Sequence, residues 1–282
     1  MTDTPNVLIT GASTGIGETC ARYLAERGFR VFAGVRKQSD ADRLSREITK
    51  NFVPIFLDVT ESDQIAQAAE AVGAVGDDGL AGLVNNAGVS IGGPLEIVPI
   101  ERLRMQLEIN VIGQVAVTQA FLPHLRRAKG RIVNIGSISG RIAMPMIGPY
   151  AISKFGLEAF SDSLRRELRP WGIGVSLVEP GAIATPIWQK SIDRVEWALQ
   201  NISEEARKLY GKSIEAGRGA AVKMSKEAIP AEEVAKVVHR ALTVSKPKTR
   251  YRVGKEAKMA AFMSWLLSDR IMDWMIGKMR EK

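Results

Sequence analysis

Three polar side chains in this 282-residue chain are spaced to move a proton. Tyr150 and Lys154, in GPYAISK, lie four residues apart, on one face of a helix and within reach of each other. A free phenol titrates at about 10 and is a poor base at neutral pH. A nearby ammonium favours the phenolate and lowers that value, which makes Tyr150 usable as a general acid or base. Ser137, which closes the run GRIVNIGS, adds a hydroxyl able to donate to the same substrate oxygen. Alone, a Tyr-x-x-x-Lys pair also describes an ordinary solvated helix surface.

Two further motifs suit an anionic, ring-bearing ligand. TGASTGIG (Thr10–Gly17) joins the first apolar run to the first helical stretch. Its glycines permit a tight turn and a close backbone approach to a pyrophosphate, and a helix N-terminus supplies free N–H groups. NNAG (Asn85–Gly88) ends a later apolar run, where small residues let a flat ring pass. Either motif alone also describes a plain turn. Arg36, in VFAGVRK, stands 19 residues past Gly17, where dinucleotide folds usually place an acid for the ribose hydroxyls. A guanidinium there bonds a 2′-phosphate through two N–H groups, with Ser13 able to add a hydroxyl. The cofactor expected from this exchange is NADP(H) rather than NAD(H). Lys37 contributes only field.

These residues need a scaffold, and the apolar pattern supplies one. NVLIT, FRVFAGV, VPIFLDV, LAGLVNN, GRIVNIGS, GVSLVEP and YRVG are short, nearly continuous apolar runs. Helical stretches alternate with them: Gly17–Glu26, Ser39–Lys50, Glu61–Val75, about Pro99–Arg127, Tyr150–Arg169 and about Ala231–Val244. Alternation of this kind means a parallel sheet buried on both faces. The expected fold is α/β, a Rossmann-type doubly wound parallel sheet of about seven strands. One catalytic domain is expected over 1–255, with a helical lid insertion over about 185–227 that carries Trp188 and Trp197. An amphipathic helical tail fills 256–282.

Composition narrows the function classes. Apolar residues make up 45% and charged residues 25%, enough for a sizeable core. The lone Cys20 excludes an internal disulfide and reads as core. MTDTPNVLIT lacks a signal-peptide pattern, and no run is long and apolar enough for a transmembrane span, so a cytoplasmic protein is expected. The net charge of +8 is spread along the chain without a basic, aromatic-rich block, which argues against nucleic acid as partner. No metal site is expected.

In this order and at these positions, the three motifs resemble the short-chain dehydrogenase/reductase family over about residues 5 to 255. The resemblance implies a catalytic tetrad of Asn110, Ser137, Tyr150 and Lys154, with Asn110 holding a water against Lys154. It implies a cofactor site of Gly11, Ser13, Thr14, Gly15, Ile16, Gly17, Arg36, Asp58, Val59, Asn86, Ala87, Gly88, Tyr150, Lys154, Pro180, Gly181, Ile183 and Thr185. Asp58 and Val59 would meet the adenine, and PGAIAT (Pro180–Thr185) would shape the nicotinamide site. The implied reaction is hydride exchange between NADP(H) and a carbonyl carbon, with Tyr150 exchanging the proton. Reduction of a conjugated C=C bond, and a non-catalytic NADPH-binding regulator, are the competing readings. A homodimer or homotetramer through the helices around Asn110 and Tyr150 is implied as well. Among subgroups the chain looks most like the steroid- and retinol-dehydrogenase-like members.

Met144, Met146, Ile147 and Trp188 make an apolar lining for the substrate, or else ordinary packing under the lid. A hydrophobic alcohol or ketone is the expected substrate. The tail holds five of the ten methionines and two of the five tryptophans. Met259, Phe262, Met263, Leu266 and Leu267 fall on one face, Ser268–Asp269 breaks the helix, and Ile271, Met272, Trp274, Met275 and Met279 continue it. Such a tail can pack on its own domain, cover the substrate mouth, enter a subunit interface or lie at a membrane surface.

Overall fold

Strands form where the apolar runs lie. In the computed structural model, which describes residues 4–75 and 79–280, seven of them make one parallel sheet. In chain order the elements are β1 (Asn6–Ile9), α1 (Gly15–Ala25), β2 (Arg30–Val35), α2 (Gln38–Glu47), β3 (Phe52–Phe56), α3 (Ser62–Gly73) and β4 (Gly82–Asn85). Next come α4 (Ile100–Leu107), a π turn (Glu108–Ile112), α5 (Gly113–Ala128), β5 (Arg131–Ile135), α6 (Gly148–Glu167) and β6 (Gly174–Pro180). The chain ends with β7 (Ile183–Ala184), α7 (Ile187–Asn201), α8 (Glu204–Glu227), β8 (Ile229–Pro230), α9 (Glu232–Thr243), β9 (Arg250–Val253), α10 (Lys255–Leu266) and α11 (Asp269–Arg280). The side chains of Trp197 and Met279 lie outside the described residues.

The sheet order is β3-β2-β1-β4-β5-β6-β9. Strand order reverses between β1 and β4, and a crevice opens at such a reversal beyond the carboxyl ends of the strands. β1 and β4 are buried along their whole length, as strands covered on both faces must be. One apolar cluster joins α1, α2 and α9 to the sheet, and Cys20 lies in it, fully buried. The other joins α3, α5 and α6 to the opposite face around Phe32 and Phe121.

The helix expected to run unbroken from about Pro99 to Arg127 carries a π turn at Glu108–Ile112. Gly113 N–H reaches back to the Glu108 carbonyl across that turn. Gly113 then lies flat on the end of the third strand segment, where an added Cβ would come 2.6 Å from the Val59 carbonyl oxygen. π turns inside helices occur often at functional sites, and this one carries Asn110.

The segment read as a helical lid is α7 and α8, pinned at its ends by the short parallel pair β7–β8. The tail is α10 and α11, and Ser268 separates them: its carbonyl accepts from Ile271 and Met272 N–H and starts the second helix. The face of α10 that packs is not the one with the large side chains. Ala257 and Ala261 are buried, while Met259, Phe262 and Leu266 stand exposed with Trp265, Ile271 and Trp274. Alanines let α10 lie close on β9, which leaves the bulky side chains pointing outward.

Candidate active site

The glycine-rich turn and the end of β4 are built against each other. Thr10 Oγ1 accepts from the Asn86 and Ala87 N–H groups, both at 2.9 Å. Asn86 Nδ2 donates to the Thr10 carbonyl at 2.9 Å and the Gly11 carbonyl at 3.0 Å. Gly11 has φ +63°, and a Cβ on it would stand 2.8 Å from Ala87 Cα. At Gly17 a Cβ would meet the Gly11 carbonyl oxygen at 2.3 Å. Only glycine fits either position. Thr14 precedes α1 without a side-chain capping bond, which leaves first-turn N–H groups for an anionic group to accept from. Thr185 closes the other side, 3.1 Å from where a Gly15 Cβ would be. These residues fit the pyrophosphate and nicotinamide ends of a dinucleotide. Ser13 lies in the glycine-rich turn and Ile16 at the start of α1. A Cβ on Gly88 would stand 3.3 Å from Asn110 Oδ1. After Pro180 the Gly181 N–H donates to the Val253 carbonyl at 2.9 Å before the chain enters β7 at Ile183.

Arg36 stands just past β2, and its Nη1 lies 3.4 Å from Asp58 Oδ2. The Arg36 side chain is 67% exposed, so it is free to turn toward a ligand. Asp58 is fixed from behind by Thr60, whose N–H and hydroxyl donate to Oδ1. Arg43, on α2, was not anticipated. It donates to the Ser13 carbonyl at 2.8 Å and pairs with Glu18 at 2.9 Å, tying the glycine-rich turn to α2. Nothing local marks Arg43, since its partners lie 25 and 30 residues away.

Ser137, Tyr150 and Lys154 come together beyond the end of β5. The Ser137 hydroxyl hydrogen-bonds the Tyr150 phenol. Lys154 Nζ donates to the Ile135 carbonyl at 2.8 Å and lies 5.6 Å from the centre of the Tyr150 ring. Asn110 joins the group through α6. Its Nδ2 donates to Ser153 Oγ at 2.9 Å, and Ser153 in turn donates to the Tyr150 carbonyl at 2.7 Å. Asn110 also exchanges two hydrogen bonds with Val89, at 2.8 and 2.9 Å, which holds the loop after NNAG. Ser153 sits inside the motif but was missed, because its role depends on a partner 43 residues distant.

The electrostatics differ from the expectation that Lys154 lowers the tyrosine. Burial pushes the Tyr150 phenol above its ordinary value, and the Ser137 bond offsets this in part. Lys154 is itself buried, and burial brings its ammonium down to about 8. The ammonium is turned to Ile135, so desolvation governs both groups.

The walls beyond Tyr150 come from three segments. Gly93 N–H donates to the Met146 carbonyl at 2.6 Å. Met146, with φ +69°, meets α8 where a Gly217 Cβ would lie 3.5 Å away. Tyr210 on α8 hydrogen-bonds Glu96. Trp188 donates from Nε1 to the Ile183 carbonyl at 2.7 Å. Met144, Ile147 and Trp188 are half-buried there.

The short chain dehydrogenase family model matches residues 5–196. A 3-amino-tetrahydro-pyrrolizinone reductase of Xenorhabdus hominickii is 41% identical, over 93% of this chain and 91% of its own. An NADPH-dependent 3-dehydrocapnine reductase of Ornithobacterium rhinotracheale is 37% identical, over 94% of each. A retinol dehydrogenase 7 of Rattus norvegicus is 36% identical, over 95% of this chain and 87% of its own.

One prediction follows from the burial of Lys154. With cofactor removed, a pH titration followed by NMR of labelled lysines shows one resonance titrating near 8, well before the others. Lys154→Met abolishes it. A wild type whose lysines all titrate at about 10.4 contradicts this geometry.

Proposed function

The chain belongs to the short-chain dehydrogenase family, in its retinol-dehydrogenase-like branch, and we propose that it uses NADP(H) to interconvert a hydrophobic secondary alcohol and its ketone, or an alcohol and its aldehyde. The observation that carries the reading is the grouping of half-buried Ser137 and Tyr150 with buried Lys154 beside a glycine cradle. Ser137 and Tyr150 hold the carbonyl oxygen. When bound, the nicotinamide supplies or accepts the hydride. Tyr150 gives its proton to the forming alkoxide, and its raised pKa keeps that proton in place until charge develops. Lys154, close to neutrality in its own titration, restores the proton, relayed by a water held at Asn110. In oxidation each step reverses. A non-catalytic sensor would need neither Tyr150 nor Lys154 in this arrangement.

The preference for NADP(H) rests on Arg36, which would leave Asp58 to bond the 2′-phosphate. The NADPH-dependent relative supports it. Met144, Met146, Ile147 and Trp188 favour an apolar substrate. Exposed Ile112, Ile152 and Phe155, beside Asn110 and on α6, support a homodimer or homotetramer through those helices.

Among the described residues no helix is long and apolar enough to cross a membrane. In our reading the outward face of α10 and α11 instead rests on an anionic lipid surface. Met259, Phe262, Trp265, Leu266, Ile271 and Trp274 supply the apolar contact, and Lys255, Lys258, Arg270 and Lys278 lie among them.

Two measurements test these points. Steady-state kinetics with a panel of hydrophobic ketones and enones gives carbonyl reduction, with kcat/KM about 10- to 100-fold higher for NADPH than NADH, as a charged hydrogen-bond pair implies. Arg36→Asp reverses the order. Equal use of NADH by wild type overturns the cofactor reading, and products reduced only at C=C overturn the carbonyl reading. In flotation, the protein rises with anionic liposomes at low salt and is released as salt screens the basic residues. If it stays down at low salt, the tail face belongs to a subunit contact instead.

A further inference from the structure

Five charged side chains meet behind the catalytic helix, outside the residues assigned so far. Glu158 lies on α6, one turn past Lys154. Glu179 is the last residue but one of β6, next to Pro180. Arg250 and Arg252 come from β9, and Arg141 follows the turn that begins at Ser137. Glu179 is fully buried and Glu158 is 8% exposed. Arg250 bonds Glu158 Oε2 through Nη2 at 2.8 Å and Nε at 3.0 Å, and also bonds Asp162 at 2.9 Å. Arg252 Nε bonds Glu179 Oε2 at 3.1 Å. Arg141 Nε stands 3.3 Å from Glu179 Oε1.

Three guanidiniums do not satisfy both acids. Glu158 Oε1 and Glu179 Oε1 are buried, and no N–H is aligned to bond either of them. Both carboxyls close on Arg250 Nε, Glu158 Oε2 at 3.0 Å and Glu179 Oε1 at 3.7 Å, so the two acids lie side by side. Two buried carboxylates side by side repel, and one proton between their unpartnered oxygens relieves both.

The surrounding geometry gives the pair a role in the reaction proposed above, on which this inference rests. Gly140 lies flat on this turn of α6: a Cβ there would stand 2.9 Å from the Lys154 carbonyl oxygen and 3.2 Å from Glu158 Cγ. Ser137 and Arg141 flank that contact. Glu179 is bonded in sequence to Pro180, the start of the segment that holds Thr185. Three functional pieces, the Ser137 turn, the Lys154 turn and the Pro180 strand end, therefore meet at two carboxyl groups. We propose that Glu158 and Glu179 are a proton-sharing positioning pair, which holds these three pieces in register while it keeps one proton and loosens them when that proton leaves.

Burial and the Glu179 carboxyl raise Glu158 to about 7, against the opposing pull of Arg250. The charged groups around the pair are Arg141, Arg250, Arg252, Asp162 and, one turn away, Lys154. α10 presents Ala261, Phe262, Ser264 and Trp265 here. A cavity of ≈420 Å³ between α6, β9 and α10 opens onto Glu158. The Glu158 value is raised on folding, from an ordinary 4.5. Its contribution to stability is therefore complete below about 4.5 and is lost as pH rises through about 7. Above that, a second negative charge stands beside the first and pushes the three pieces apart.

Glu158→Gln tests this, since its amide donates permanently where the shared proton did. Wild type, Glu158→Gln and Trp265→Phe are compared from pH 5.5 to 8.5, a range set about the Glu158 value. Wild type loses several degrees of Tm across this range relative to Glu158→Gln. Trp265 emission steps near pH 7 in wild type, and the step is missing from Glu158→Gln and from Trp265→Phe, which keeps normal activity. The ratio of kcat at the alkaline end to kcat at the acid end is higher in Glu158→Gln than in wild type. Should Glu158→Gln not fold, Glu179→Gln supplies the same donor from the other side and gives the same three results. Parallel melting and emission profiles in wild type and variant overturn the pair. Melting and emission need no substrate, so that outcome leaves the oxidoreductase reading standing, and a wild type without turnover counts against that reading alone.

Discussion

A buried ammonium is costly unless its surroundings compensate, and Lys154 carries one to the centre of the site. Much of the architecture serves to make that tolerable. β5 ends where its Ile135 carbonyl accepts from Nζ, and α6 begins so that Lys154 reaches it. The Tyr150 ring stands 5.6 Å off, its phenol held by Ser137. The π turn in the preceding helix pair brings Asn110 to Ser153 and Val89, which fixes the start of α6 against the loop after β4. If any of these elements shifts, the lysine is left charged without partners. The same desolvation draws its pKa toward neutrality, where proton exchange is easiest.

The parallel sheet supplies the rigidity this requires. All the pieces named lie at the carboxyl ends of strands whose positions are set by ladders and by two apolar clusters. The glycine-rich turn and NNAG are locked by Thr10 and Asn86, with no space for a side chain at Gly11 or Gly17. Polar groups that the strands bury are paired across elements. Asn85 donates to Thr118 and Asn134, and Asn134 to Ser161. The positions of the β4 and β5 ends are thus specified by hydrogen bonds as well as by packing.

What could be read in the sequence was what local spacing determines. Apolar runs gave the strands, and the four-residue interval placed Tyr150 and Lys154 on one helix face. Glycine spacing located the cradle, and the exchange of an acid for Arg36 stood out against a known position. Distant pairings were not legible. Ser153 needs Asn110, Arg43 needs Glu18 and Ser13, and Glu158 needs Glu179 and Arg250, all across tens of residues. The π turn leaves no periodic signature distinct from an α-helix. In the tail, spacing grouped the large side chains on one face but left open what that face meets, and close approach to β9 buries Ala257 and Ala261 instead. The lowering of Tyr150 by Lys154 failed for a related reason: spacing indicates proximity but not the depth at which both groups are buried.

In the proposed reaction Tyr150 is the group that exchanges the proton. Tyr150→Phe keeps the ring and its packing and removes only the hydroxyl. Single-turnover reduction of a ketone by bound NADPH, with binding confirmed separately, measures the loss directly. NADPH is expected still to bind, and the rate to fall about 100- to 10,000-fold. Turnover at the wild-type rate would contradict proton exchange by Tyr150.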